Sequence, residues 1–375
     1  MPTSIPYKIL HVINSLAMGG AEKLVADLAP RQRERGAVVR VLALNPAGDA
    51  FSYALRASGV EAAFACAHEA SPYIPLRVGA LRRAIAEFKP DILHAHLSPS
   101  FQWCAIAAAT LPKGIRPRLI ATEHAVLNRR MASRLLTALD RPIYRRYGAI
   151  ACVSAEAAAA LERWLGQNAA RAVVIPNGIE LRSFAPGGSA PDSGLIAWKA
   201  GRFLIAMTAR LVPPKDHATA LRALALLPED YALAFIGEGP ERHALEALAT
   251  SFGVTGRVKF LGSRADIAGL LAAADAYMQS SKDEGFGIAA LEAMASGLPV
   301  TASAVGGLKA LASGAAVLVD SGDEAGFAAA LKRIREDPRE RADLIRAGIE
   351  RAAAYGIEHT VEGYALAYRG LMEGA

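Results

Sequence analysis

The chain reads as α/β, built from two doubly wound, Rossmann-like domains. Three observations predict this. Short apolar runs rich in β-branched residues alternate with longer helix-patterned stretches almost throughout, the signature of parallel sheets flanked by helices. At 375 residues the chain exceeds one ordinary domain, so two cores are expected. The one clear low-order stretch, residues 186–194 (PGGSAPDSG), lies near mid-chain, and the alternation restarts after it.

In the first half, strands are predicted at residues 8–13, 38–44, 91–96, 118–123 and 149–153, with helices such as 21–35 and 76–88 between them. In the second half, strands are predicted at 203–208, 232–236, 258–261, 276–279 and 317–319. The join between domains falls within residues 176–200. Ligands of such sheets bind at the carboxyl ends of the strands. Gly19-Gly20, His94 and His96, Glu123-His124, Arg210, Gly237 and Glu284 all stand at such ends, so the expectation is an active site between the domains.

Hydrophobic residues make up 53% of the chain and aromatics only 6%. Alanine carries the excess, which points to close helix packing rather than to a membrane protein. The most apolar windows, 103–111 and 288–295, are too short to span a bilayer. The first residues run straight into a strand without signal-peptide form. Cys66, Cys104 and Cys152 have no paired spacing and read as reduced core thiols. The expectation is a cytoplasmic protein with peripheral contact at the inner face of the membrane. Residues 1–180 carry 22 Lys+Arg and 13 Asp+Glu, a balance of +9; the remainder carries 20 and 23, or −3. A basic first half favours an anionic partner, and nucleic acid or an acidic lipid surface would each fit.

The most informative stretch is residues 281–300. Glu284 and Glu292 stand eight apart around Gly285-Phe286-Gly287, and Gly287 opens a helical pattern at Ile288. A glycine turn at a helix start exposes N–H groups, and the helix dipole adds positive potential, which suits a phosphate. Eight residues is about 800° of helix rotation, so the two carboxylates are expected on one face: Glu292 toward a ribose, Glu284 toward a transferred group. The bland alternative is a surface helix with two solvated glutamates. Arg210 and Lys215 lie five apart beyond a strand, with Pro213-Pro214 between them. The prolines limit the entropy lost in ordering the loop, and the two cations would grip a diphosphate; two solvated loop charges are the alternative. No D-x-D sequence occurs, so these cations are expected to replace a metal and no metal or other cofactor is expected. Met18-Gly19-Gly20-Ala21-Glu22 allows close backbone approach, or is a plain tight turn. It is not G-x-G-x-x-G, and no P-loop occurs, which disfavours dinucleotide and ATP binding. His94 and His96 alternate onto one face, but no third ligand of suitable spacing appears for a metal. Residues 129–146 hold six arginines and one aspartate, with Met131, Leu135, Leu139 and Ile143 at near-helical spacing and Pro142 expected to break or kink the helix. Such a segment suits an anionic membrane or is a packed helix with a solvated face.

Together these motifs resemble the retaining glycosyltransferases of family 4, with the two-domain GT-B fold. The resemblance rests on the E-x7-E with G-F-G at Glu284–Glu292, on Ile175-Pro-Asn-Gly-Ile-Glu180, on Arg210-Leu-Val-Pro-Pro-Lys215, on Gly237-Glu-Gly-Pro240, on Val258-Lys-Phe-Leu-Gly262 and on Gly19-Gly20-Ala21-Glu22. Asp216-His217 stands where many relatives have Gly, which puts the shape of that loop in question. The resemblance implies two Rossmann-like domains facing across a cleft: an acceptor-side domain at 1–178, a nucleotide-sugar domain at 179–356, and a helix at 357–375 crossing back to the first. It implies that Glu284, His124, Arg210 and Lys215 serve catalysis, with His124 beside the transferred sugar. Gly19, Gly20, Arg210, Lys215, Gly285, Phe286, Gly287, Ile288 and Glu292 would hold the nucleotide-diphosphate sugar. The partners would be that donor and a glycan or lipid-linked saccharide acceptor, as in cell-surface polysaccharide or lipopolysaccharide synthesis. A nucleotide-sugar epimerase of the same fold and a non-catalytic nucleotide-sugar-binding subunit are the alternatives. Nucleic-acid binding is disfavoured, because no aromatics interleave with the arginines.

Overall fold

The structure, a computed structural model, describes residues 3–46, 48–69, 71, 73–74, 77–124, 129–166 and 172–374. The predicted helix at 76–88 begins one residue outside them. The chain forms two compact units, one of Met1–Gly178 with Ile357–Ala375 and one of Ile179–Gly356.

The first unit carries a parallel seven-stranded sheet: β1 (Lys8–Ile13), β2 (Val38–Ala43), β3 (Glu61–Phe64), β4 (Ile92–His96), β5 (Arg118–Glu123), β6 (Ala149–Cys152) and β7 (Ala172–Val174). Their order is β3-β2-β1-β4-β5-β6-β7. Because side chains alternate along a strand, each one feeds two cores. Ile9 and Ile13 of β1, Ile92 of β4 and Ile120 of β5 pack on one side with Leu24, Val25 and Leu28 of the helix Gly20–Glu34. Leu10 and Val12, Leu93 and Ala95, and Leu119 and Ala121 pack on the other, with Phe101 and Tyr147. The first side is completed from far along the chain. Ile357, Val361, Tyr364, Ala365 and Tyr368 of the closing helix Ile357–Glu373 are all buried there. Arg35 holds this helix from outside, donating to Glu358 at 2.7 Å and to Glu362 at 2.6 Å.

The second unit carries six parallel strands: β8 (Phe203–Thr208), β9 (Tyr231–Ile236), β10 (Val258–Phe260), β11 (Ala276–Gln279), β12 (Val300–Ser303) and β13 (Val317–Val319). Their order, β10-β9-β8-β11-β12-β13, repeats the connectivity of the first six strands of the other unit. In each sheet the order reverses once, between β1 and β4 and between β8 and β11, and ligand sites of open α/β sheets lie at such reversals.

Three strands escape the sequence pattern. β3 (EAAF) and β12 (VTAS) are only four residues long, and β7 is a three-residue edge. The low-order stretch at 186–194 is no linker: Asp192 N–H donates to Gly269 O at 2.9 Å and the Asp192 side chain caps the helix Ser193–Lys199, all within the second unit. Pro142 does not break its helix, which runs Arg134–Tyr144: the proline forfeits its own N–H bond to the preceding turn, but only Ile143 and Tyr144 follow before the helix ends. Among the described residues no helix is long and apolar enough to cross a membrane.

Candidate active site

The second unit gathers most of the predicted site at its strand reversal. The loop after β8 carries Arg210 and Lys215, and the loop after the adjacent β11 carries Glu284. Lys215 Nζ donates to Glu284 Oε2 at 2.6 Å. The two loops are also stitched through their backbones. Lys282 N–H donates to Pro214 O at 2.8 Å, and Ser280 Oγ donates to Asp216 O at 2.9 Å. Asp216 sits at φ 49°, ψ 50°, a left-handed conformation that glycine takes freely and aspartate tolerates. This answers the question raised by the departure at that position: Asp216 keeps the turn, and its buried carboxylate accepts from Thr219 at 2.8 Å. Arg210 is exposed and engages no side chain among the described residues.

The stretch 284–292 is organised differently from the sequence expectation. Glu284 is not helical. The helix runs Ile288–Ala295, with Gly287 as its N-cap at φ 100°. Rotation around a helix therefore does not relate Glu284 to Glu292, and the expectation of one shared helical face fails. Glu284 is placed instead by its loop, which packs on the start of the helix Gly306–Ala312. Gly307 N–H donates to Glu284 O at 3.0 Å, and a Cβ at Gly307 would meet Gly285 O at 2.1 Å. Gly306-Gly307 is thus a requirement of this loop that the sequence reading did not single out. Phe286 is buried, its ring edge-on to Tyr355 at 5.4 Å. Glu292 is 3% exposed on the helix. Gly287 has no side chain to cap the helix, so the first N–H groups of Ile288–Ala295 have no intrahelical or side-chain acceptor among the described residues. Burial and the neighbouring Glu284 raise the pKa of Asp283 from its ordinary value. A cation pair, an uncapped helix start and two glutamates make this a place for an anion with hydroxyls beside it.

Gly19, Gly20 and His124 belong to the first unit. Gly19 is the N-cap of the helix Gly20–Glu34, with an extended backbone that any residue could adopt; a Cβ there would meet Glu22 Oε2 at 2.3 Å. His124 follows β5. Its Nε2 is buried with no hydrogen-bond partner among the described residues, and burial lowers its pKa to about 4. The sequence expected no third ligand beside His94 and His96, yet β1 pairs with β4 and sets His11 directly against His94. Nitrogens of His11, His94 and His96 lie within 4.8 Å of one another, the spacing of a metal site. They are already engaged otherwise: His11 Nδ1 to His96 Nε2 at 3.0 Å, His11 Nε2 to Gln32 Oε1 at 2.8 Å, and His94 to the Tyr368 and Thr122 hydroxyls at 2.8 and 2.7 Å. Burial pulls all three imidazoles below their ordinary pKa, which suits neutral, hydrogen-bonded rings.

The arginine-rich segment divides in two. Arg130 forks onto Asp140 at 2.6 and 2.7 Å, and Asp140 is fully buried. Met131 and Ile143 pack against the core, but Leu135 and Leu139 are 71% and 55% exposed beside exposed Arg134 and Arg141. A depression of about 570 Å³ lined by Arg116, Arg118, Arg146 and Leu371 lies at the opposite ends of the strands from His96 and His124.

Comparison with known proteins agrees with this arrangement along nearly the whole chain. Residues 18–183 match the family Glycosyltransferase Family 4, and residues 195–351 match Glycosyl transferases group 1. The D-inositol 3-phosphate glycosyltransferase of Mycolicibacterium vanbaalenii is 31% identical over 320 residues, covering 76% of this chain and 69% of the relative. The lipopolysaccharide core biosynthesis glycosyltransferase LpsD of Rhizobium meliloti is 29% identical, covering 92% of each. The crystal structure of Anabaena Alr3699/HepE in complex with UDP and glucose superposes with a TM-score of 0.80 at 25% identity, over 95% of this chain and 97% of that one. With two sheets of one connectivity and a basic, glutamate-bearing strand reversal in the second, the chain belongs to the group 1 glycosyltransferases of the GT-B fold, and it is a glycosyl-transferring enzyme.

Proposed function

We propose that this chain moves a sugar from a nucleoside-diphosphate sugar to a glycan or lipid-linked saccharide, with retention of configuration, in the synthesis of a cell-surface polysaccharide or lipopolysaccharide. The observation that carries the reading is the strand reversal of the second unit, where Lys215 meets Glu284 at 2.6 Å beside exposed Arg210 and an uncapped helix start. In this reading Arg210, Lys215 and the N–H groups at Gly287-Ile288 neutralise the leaving diphosphate, whose charge grows as the glycosidic bond breaks. A protein cation already in place needs no divalent metal for that task. Glu292 accepts from the ribose hydroxyls and Glu284 contacts the sugar. For His124, in the first unit, the resemblance implies a sugar-contacting role. The acceptor hydroxyl attacks from the face the diphosphate leaves, and a phosphate oxygen takes its proton, which accounts for retention without a protein nucleophile.

The relatives supply the first probes: the Anabaena structure holds UDP and glucose. The test is a thermal-shift screen with UDP, GDP, ADP and their sugars, because a ligand bound only by the folded state raises the melting temperature. At least one diphosphate is expected to raise it. No shift with any of them overturns the reading, as does release of a free epimerised donor in place of a transferred sugar.

A further inference from the structure

We infer that Gln32 and Tyr368 are positioning residues for His124, acting through one directional hydrogen-bond chain that runs His96–His11–Gln32–Tyr368–His94–Thr122–Tyr364. The links run His96 Nε2 to His11 Nδ1 at 3.0 Å, His11 Nε2 to Gln32 Oε1 at 2.8 Å, Gln32 Nε2 to the Tyr368 hydroxyl at 3.0 Å, that hydroxyl to His94 Nδ1 at 2.8 Å, His94 Nε2 to Thr122 Oγ1 at 2.7 Å, and Thr122 Oγ1 to the Tyr364 hydroxyl at 2.9 Å. All seven residues are buried.

The direction follows from what each atom can do. Gln32 Oε1 only accepts, so His11 must carry its proton on Nε2. A neutral His11 then has a bare Nδ1, so His96 Nε2 must donate to it. Gln32 Nε2 only donates, so the Tyr368 hydroxyl accepts from it, and its own buried O–H, which needs an acceptor, donates to His94 Nδ1. His94 therefore donates from Nε2 to Thr122. One side-chain amide thus sets three imidazole tautomers at once, and it leaves His96 Nδ1 as a bare acceptor. That atom is buried and has no donor among the described residues.

The locked rings form the wall behind His124. The rings of His94 and His96 are 4.1 Å apart, and those of His96 and His124 are 5.8 Å apart. An imidazole turned over about its ring axis would lose its link, so each ring has one orientation. His124 packs on a surface of fixed shape and fixed polarity. The two tyrosines come from the closing helix, so the docking of that helix is read out at the end of β5.

The inference rests on the reading of His124 as a sugar-contacting residue, but its test does not. Imidazole nitrogens of the full-length protein, with 15N-labelled histidine, report tautomers directly by NMR. At pH 7 all three of His11, His94 and His96 are expected neutral and protonated on Nε2. Tyr368→Phe removes the hydroxyl in the middle of the chain and is expected to change the His11, His96 and His124 signals. Tyr364→Phe removes only the terminal link and is expected to leave those three unchanged. Any Nδ1–H tautomer among the three in the wild type overturns the direction. Equal effects of the two substitutions on His124 overturn the positioning role. Incubation with Co²⁺ is expected to produce no tightly held ion; one equivalent retained by the wild type and lost in His11→Ala would show a metal site instead and overturn the chain.

Discussion

Lowering the pH from 7 to 5 should destabilise the first unit through its buried imidazoles. His11 shows the size of the effect. It is fully buried, and burial lowers its pKa from 6.5 to about 4, against the Gln32 hydrogen bond, which raises it. The folded value lies below the unfolded one, so the folded chain binds fewer protons within that window. Stability is therefore complete above about pH 6.5, falls as the pH drops toward 4, and levels off below. Linkage gives a penalty of about 0.2 kcal/mol at pH 7 and about 2 kcal/mol at pH 5 for this one ring. His94, His96 and His124 are lowered in the same sense and add to the loss. Domains are stable by only about 5–15 kcal/mol, so the loss is a substantial part of the whole. The assay is the urea midpoint of the unfolding step assigned to the first unit, followed at pH 7, 6, 5 and 4. His11→Gln should flatten the dependence by about one ring's share, whatever it does to stability at pH 7. Identical midpoints at pH 7 and 5, or a loss that begins only below pH 4, where carboxylates titrate, would refute the reasoning.

Arg210→Ala or Lys215→Ala should lower turnover at least about 100-fold with the fold intact, the usual cost of one charge-stabilising group; near-normal turnover at saturating donor would remove either residue from the leaving-group site. Transfer should survive exhaustive chelation, and activity lost to the chelator and restored by Mg²⁺ or Mn²⁺ would contradict the assignment. Glu292→Gln should weaken free nucleotide and donor alike, whereas Glu284→Gln should slow turnover more than it weakens the nucleotide; titration of free nucleoside diphosphate decides, and the opposite pattern exchanges the two roles. The first unit should co-sediment with anionic vesicles in a salt-sensitive way, since each basic residue near such a surface contributes about 1 kcal/mol. Replacing Arg134, Arg141, Leu135 and Leu139 by Ser should reduce this, and unchanged binding would show that the segment does not face lipid. Arg130 is left out of that set because its removal would strand the buried Asp140 charge.

How far the sequence revealed this molecule depended on distance along the chain. The longer strands, rich in Ile, Leu and Val, were readable, and with them the class of fold. β3, β7 and β12 were not, because three or four residues are too few to show a full period, and β3 (EAAF) has no β-branched side chain. The loops bearing Arg210, Lys215 and Glu284 were visible because each is a contiguous motif. The relation of Glu284 to Glu292 was misjudged because Gly287, at φ 100°, starts the helix three residues beyond Glu284. The histidine cluster could not be assembled. His11 meets His94 only through the β1–β4 pairing, and Gln32 meets Tyr368 across 336 residues.

That last separation sets the order in which the two units can be completed. The first unit lacks its closing helix until the ribosome has passed through the whole of the second. Until then Gln32, His94 and Thr122 have no tyrosine hydroxyls to bind, and Ile9, Ile13 and Ile92 have no Val361, Tyr364 or Tyr368 to cover them. The second unit is one contiguous segment, Ile179–Gly356, and is made in full before the closing helix appears. The half that is translated first is therefore the half that is finished last, and a chain truncated before residue 357 would carry every strand of both sheets but leave one face of the first only partly covered.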